Sequence, residues 1–218
     1  MEGSFPNRAA AGAALADALS GYARRRDAVV LGLVRGGMPV AATVAARLGI
    51  ALDALVIRKL GVPWAPEVAF GALGPGGIVV RNDDVAGRLE RDDIDAVLSR
   101  ETAELVRREA RYRGGRPALT LRDRVAVLVD DGLATGASAR AAVAVARALE
   151  AARVVLAVPV GSTRALRALE PLVDELVCPL RPPVFGAVSE FYDDFHQVTD
   201  AEVAEALDSA DVRPPGTV

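Results

Sequence analysis

Two adjacent carboxylates, Asp130 and Asp131, follow an unbroken apolar run, Val125 to Val129, and precede a loop of small and hydroxylated residues, Gly132 to Ser138. The run is short, β-branched and free of polar alternation, the pattern of a central parallel strand buried on both faces. The acids therefore stand at the carboxyl end of that strand, where open α/β sheets bind ligands. Beyond them Thr135, Gly136, Ala137 and Ser138 carry little side-chain bulk. Backbone N–H groups at the start of the next helix can then approach a phosphate closely. Hydroxyls to the carboxylates and a phosphate to the loop describe a phosphorylated sugar. Two other places carry cations beside turns: Arg35-Gly36-Gly37 and Arg58-Lys59. The paired glycines expose N–H groups, and Arg35 can bridge phosphate oxygens in bidentate fashion. The first turn is neither a Gly-Lys-Ser/Thr phosphate loop nor a dinucleotide GxGxxG.

The elements that must hold these groups alternate along the chain. Asn7 reads as the N-cap of an Ala/Leu-rich helix within Phe5 to Tyr22. Ala28 to Val34 and Ala51 to Ile57 are buried-strand patterns around a helix, Met38 to Leu48, that ends at Gly49. Leu60 to Ala72, broken by glycine and proline, is expected as a loop, and Phe70 to Leu73 with Gly74 to Arg81 as a hairpin. Leu89 to Arg113 reads as a long charged helix with a solvated face; its acids nearly balance its arginines, which disfavours a nucleic-acid arm. After the acid-pair strand and its helix to about Glu150 come a strand, Arg153 to Val160, a helix, Ser162 to Leu169, and a strand, Val173 to Val177. Strand–helix alternation throughout predicts a Rossmann-like parallel sheet with helices on both faces. A last helix is expected over Asp200 to Leu207.

Composition narrows the class. The 218 residues are 51% hydrophobic and 25% charged, with a net charge of −3, which suits a globular α/β domain and offers no general attraction to nucleic acid or an acidic membrane. Cys178 is the single cysteine, so an intrachain disulfide and a cysteine-cluster metal site are excluded. No secretion signal or membrane span is read, and a cytoplasmic protein is expected.

The stretch Asp130-Asp131-Gly132-Leu133-Ala134-Thr135-Gly136-Ala137-Ser138 resembles the signature of the type I phosphoribosyltransferases, which bind 5-phosphoribosyl-1-pyrophosphate (PRPP). It departs at Gly132, where that family usually has a branched apolar residue. The pattern Phe5, Arg8, Ala11, Gly12, Leu15 and the run Arg58-Lys59-Leu60-Gly61-Val62-Pro63 resemble a poorly characterised branch of the same family. The resemblance implies one domain over residues 1–218: a core at about 23–178, a flap at about 58–81, and a hood from about 179–218 with the N-terminus. It implies pyrophosphate binding at Val34 to Gly37 (Arg35, Gly36, Gly37), with Arg58 at the root of the flap as a further substrate-binding cation and Lys59 stabilising the leaving group. Thr135, Gly136, Ala137 and Ser138, with Ala134, would hold the 5′-phosphate end, while Asp130 and Asp131 fix the ribose hydroxyls. Magnesium would arrive on the pyrophosphate, with the two aspartates reaching it indirectly. Glu67 on the flap is the candidate general base.

The implied reaction is transfer of a phosphoribosyl group to a nitrogenous acceptor, a nucleobase by analogy, with release of pyrophosphate. A non-catalytic PRPP- or nucleotide-binding regulator is the alternative. The acceptor stays open, because relatives acting on 6-oxopurines carry an aspartate where this chain has Ala134. From Pro179 the chain turns aromatic, with Phe185, Phe191, Tyr192 and Phe195 beside Asp193, Asp194 and the sole His196. Those rings suit either a base-stacking surface or a satellite cluster that ties down the tail. The family also implies a homodimer. Asp131→Asn is expected to reduce turnover and leave the fold intact.

Overall fold

The computed structural model of the chain describes residues 4–211, apart from the side chains of residues 67 and 211. Asn7 caps α1 (Arg8–Ala18), its side-chain oxygen accepting the Ala10 N–H at 3.0 Å. Strand β1 (Ala28–Leu33) is buried at every position. Helix α2 (Gly37–Leu48) follows, and β2 (Ala51–Leu55) returns parallel to β1.

Three antiparallel strands come next: β3 (Arg58–Val62), β4 (Ala65–Gly74) and β5 (Ile78–Arg81), in that spatial order. This corrects the expected loop over Leu60 to Ala72. Its glycine and prolines mark a register shift at Gly61 and a turn at Pro63-Trp64 inside a meander, not an absence of strand. A Cβ on Gly61 would stand 2.9 Å from the Pro66 carbonyl oxygen, so the two strands approach there only because the residue has none. The expected hairpin is present, with Gly71 paired to Arg81 and Gly74 to Ile78. Leu60, Val62, Phe70 and Leu73 are buried in the main core, whereas Trp64 at the tip is 68% exposed. The meander's base is thus part of the folded body. Helix α3 (Asp83–Ala86) leads to α4 (Arg91–Arg113), which buries Ile94, Val97 and Leu105 and pairs Glu104 with Arg107 and Arg108 at its surface.

Strand β6 (Val125–Val129), helix α5 (Ala137–Ala148), strand β7 (Arg153–Ala157), helix α6 (Thr163–Leu169) and strand β8 (Glu175–Val177) complete a parallel sheet in the order β2-β1-β6-β7-β8. Val125, Val127 and Val129 join a core with residues of α1, α2 and α4, while Ala126 and Leu128 join a second core with residues of α5 and α6. Successive side chains of a strand point to opposite faces, so a strand lodged between two cores must be apolar throughout. From β1 the chain moves outward to β2, and from β6 it moves the other way to β7. The crevice between β1 and β6 is therefore the topological switch point of the sheet.

The last helix, α7 (Asp200–Asp211), packs on α2 and α4. Between β8 and α7 the chain passes over the N-terminal segment, where the Phe5 N–H donates to the Phe191 carbonyl and the Asp193 N–H to the Phe5 carbonyl. Ring pairs Phe5–Tyr192, Tyr192–Phe195 and Phe185–Phe191 have centroids 5.7, 5.0 and 5.2 Å apart. The tail aromatics pack on one another, as a satellite cluster does.

Candidate active site

Register places the site. Gly32 of β1 lies opposite Val129 of β6, so the turn after β1 and the acids after β6 emerge side by side. A Cβ on Gly36 would stand 2.3 Å from Asp131 Oδ2, and one on Gly37 would stand 2.5 Å from the Val129 carbonyl oxygen. No residue larger than glycine fits either place without displacing the acid or the strand end. The Val34–Arg35 peptide bond is cis.

The two carboxylates have different surroundings. Asp130 Oδ1 accepts the Asp131 N–H at 2.9 Å. Asp131 Oδ2 accepts both Nε and Nη2 of Arg8, at 3.0 and 2.8 Å. The third guanidinium nitrogen, Nη1, donates to the His196 carbonyl at 2.8 Å, and the guanidinium lies 3.9 Å from the centre of the Phe195 ring. Tyr192 donates its hydroxyl to the Asp131 carbonyl at 2.6 Å, and burial pushes that hydroxyl's pKa up, which keeps it a donor. Burial also raises both carboxyls. At Asp130 the neighbouring Asp131 charge adds to the rise; at Asp131 the Arg8 guanidinium works against it. The crevice thus holds a buried carboxylate pair with one guanidinium, that of Arg8, on Asp131.

The loop after the acids is pinned by the segment that follows β7. The Leu133 N–H donates to the Val160 carbonyl at 3.0 Å, the Ser162 N–H to the Leu133 carbonyl at 2.8 Å, and the Ser162 hydroxyl to the Ala134 carbonyl at 2.7 Å. Gly136, at φ +77°, turns the chain into α5 in a conformation a side chain resists. Thr135, Ala137 and Ser138 are exposed, and the Ala137 N–H reaches the Thr135 hydroxyl only at 3.4 Å. The opening N–H groups of α5 have no intrahelical acceptors, so they face outward available to an anion. Gly132 also has a spatial reason: a Cβ there would stand 2.6 Å from Val188 Cγ1 in the C-terminal segment. The tail occupies the volume a branched residue would take.

The cations are disposed less simply. Arg35 Nη1 lies 3.7 Å from Asp200 Oδ1 at the start of α7. Arg58 is held by Glu101 of α4, with Nε and Nη2 at 2.7 and 2.6 Å from one carboxylate oxygen, so its guanidinium is already committed to a protein anion. Lys59, its neighbour on β3, is exposed and has no ion pair among the described residues. The side chain of Glu67 lies outside the described residues. Arg8 and Tyr192 hold Asp131, and Val188 packs beside Gly132, roles that the sequence did not single out. Arg8 had one signal, its place in the N-terminal pattern, and nothing there said which residue it would reach.

The resemblance of the chain to known proteins agrees with this geometry. A model of the phosphoribosyl transferase domain matches residues 4–196, from the start of the described chain to the residue whose carbonyl receives Arg8. MT0597 and Rv0571c, from two strains of Mycobacterium tuberculosis and each provisionally named a phosphoribosyl transferase, are 48% identical over 208 residues. The alignment covers 94% of this chain and 47% of each relative, so the chain spans about half the length of the curated relatives it matches. The crystal structure of TT1426 from Thermus thermophilus superposes with a TM-score of 0.86 at 42% identity, covering 94% of this chain and 97% of that one. With its acid pair at the switch point, its helix-capping Thr-Gly loop and this match along most of its length, the chain belongs to the phosphoribosyl transferase family.

Proposed function

We propose that the protein transfers the 5-phosphoribosyl group of PRPP to a nitrogenous acceptor, a nucleobase in the first instance, and releases pyrophosphate. One observation supports this reading: three features suited to ligand binding follow the carboxyl ends of the adjacent strands β1 and β6. They are the paired carboxylates, the bulk-free Gly36-Gly37 turn pressed against them, and the exposed start of α5.

In this reading Thr135 and the N–H groups of Gly136 to Ser138 hold the 5′-phosphate, and binding there orients the ring. Asp130 and Asp131 accept the ribose hydroxyls and place negative charge beside the anomeric carbon. That carbon gains positive character as its bond to the pyrophosphate oxygen breaks and its bond to nitrogen forms. Arg35 and the Gly36-Gly37 amides receive the departing pyrophosphate, and Lys59 supplies a further cation from the meander. Glu67 is the proposed acceptor of the nucleophile's proton.

The donor set suits magnesium brought by the substrate rather than a resident ion. The described residues contain no cluster of three or more histidine, cysteine or acidic side chains that could hold a metal. Two carboxylates together with substrate phosphates are the usual company of that ion. Bound there with PRPP, magnesium would neutralise the leaving pyrophosphate.

No helix among the described residues is long and apolar enough to cross a membrane. We place the reaction in the cytoplasm, in a homodimer whose mass light scattering would report. The test of function is pyrophosphate release from PRPP and magnesium across a panel of purines, pyrimidines and other nitrogenous acceptors. Release with one acceptor class supports transfer. A regulator would show a PRPP-dependent rise in melting temperature and no release with any acceptor; no heat on PRPP titration overturns both readings.

A further inference from the structure

We infer that Arg8 is the positioning residue for the diol-binding carboxylate, and that through it recognition of the ribose hydroxyls depends on the docking of the C-terminal segment around Phe195. The inference rests on the reading of the acid pair as the ribose site.

Arg8 is only 6% exposed, although it is charged and opens a helix. Every nitrogen of its guanidinium is engaged. Two of them converge on one oxygen, Asp131 Oδ2, and the third is held by the His196 carbonyl. This arrangement breaks the symmetry of the carboxylate. An aspartate's terminal torsion is broad and nearly two-fold, so an unheld carboxylate presents either oxygen in many directions. Here Oδ2 is saturated by Arg8, and Oδ1 accepts no hydrogen bond from another residue among the described ones. The backbone of Gly36 closes the other side of Oδ2. One oxygen is thereby kept vacant, in a fixed orientation, for a hydroxyl donor. A grip using both oxygens would have bound Arg8 as well, but would have taken one acceptor site from each oxygen instead of leaving Oδ1 whole.

Away from Asp131, Arg8 meets the C-terminal segment at the His196 carbonyl and the Phe195 ring. Phe195 supplies a ring under the guanidinium, a contact that favours a cation with little water around it. Phe195 in turn packs on Tyr192, and Tyr192 bonds the carbonyl of the same Asp131. Segment 192–196 therefore grips Asp131 twice, through its backbone by Tyr192 and through its carboxylate by way of Arg8. If the segment lifts, both holds are lost together. The pair is not chiefly a source of stability, because a buried ion pair loses much of its attraction to desolvation. Its effect is on geometry.

The experiment compares two ligands that differ only in the diol, ribose 5-phosphate and 2-deoxyribose 5-phosphate, titrated by calorimetry into the whole chain. The unaltered protein is expected to prefer the ribose compound roughly tenfold or more, as suits a hydroxyl bonded to a carboxylate. In Arg8→Met the preference should collapse towards unity while affinity for the deoxy compound, set by the 5′-phosphate, stays the same. Arg8→Lys keeps the charge without the fork and should recover only part of the preference. General loosening of the fold would weaken both ligands alike and leave the ratio in place. Phe195→Leu preserves the ion pair, removes the platform, and should lower the ratio severalfold; it carries the test should Arg8→Met not fold. An unchanged ratio in a folded Arg8→Met, or in Phe195→Leu when that variant stands alone, overturns the inference. A missing preference in the unaltered protein overturns the ribose reading itself, and the inference with it.

Discussion

Arg35 Nη1 stands 3.7 Å from Asp200 Oδ1, which joins the turn after β1 to the first residue of the last helix. Asp200 has closer partners: the Tyr112 hydroxyl donates to it at 2.7 Å, and Arg111 Nε lies 3.1 Å away. Arg35 is thus the least firmly held cation around that carboxylate, and a bound pyrophosphate would compete for it with a partly exposed acid. Asp200→Asn should tighten pyrophosphate binding by about two- to fivefold, the scale of a half-exposed ion pair. Arg35→Ala should weaken it by more than about tenfold, the loss of a charge-assisted contact. Calorimetry with pyrophosphate alone reads both. Equal losses in the two variants would mean that Asp200 aims Arg35 instead of competing for it.

Asp131→Asn is expected to abolish most turnover, and the structure adds a cost in stability that the sequence did not suggest. The substitution leaves the buried Arg8 facing a neutral amide, which should cost about 2–3 kcal/mol. Asp130→Asn should be close to neutral. That carboxylate is already disfavoured by burial and by the charge of Asp131 beside it, and its one hydrogen bond is to a neighbouring backbone N–H. Urea unfolding of the two variants checks the contrast. Equal destabilisation would show that Arg8 is not the residue that distinguishes them.

Gly132→Val would restore the branched residue usual in the family and should destabilise this chain by about 1–3 kcal/mol, as overpacking does. The clash is with Val188, whose methyl carbons Cγ1 and Cγ2 would lie 2.6 and 2.9 Å from the new Cβ. Val188→Ala in the same chain should recover much of the loss, and a double-mutant cycle measures the coupling. Additive effects would place the strain elsewhere.

His196 gives the tail a dependence on pH. Its Nε2 lies 2.8 Å from Glu202 and its Nδ1 lies 3.1 Å from Asp194, and these carboxylates raise its pKa above the ordinary 6.5. Because the folded value is the higher one, the protonated ring's contribution to stability is complete below 6.5 and is lost as pH rises through the folded value. Melting temperature should therefore fall across neutral pH, and His196→Gln should remove that slope. As the sole histidine, its titration can be followed directly by NMR. A folded-state pKa at or below the ordinary value would contradict the pairing.

The parallel sheet and its acid pair could be read locally. Val125 to Val129 is apolar at every position because two cores press on it, and that demand is written in five consecutive residues. The small residues after Asp131 and the N-caps Asn7 and Ser162 are equally short-range signals. What could not be read locally is what faces what. Gly36 and Gly37 look like any flexible turn until the β1–β6 register sets Asp131 and Val129 against them. Arg58 reads from the sequence as a bare cation at a strand's edge, and only the fold brings Glu101 of α4 beside it. Gly61, Pro63 and Pro66 spelled a loop because single-residue signals do not show that β4 would pair on both sides. Arg8, a cation in the first turn of a helix, is ordinarily solvated. It is buried because the end of the chain folds over its beginning, a contact between residues far apart in sequence that no local pattern encodes.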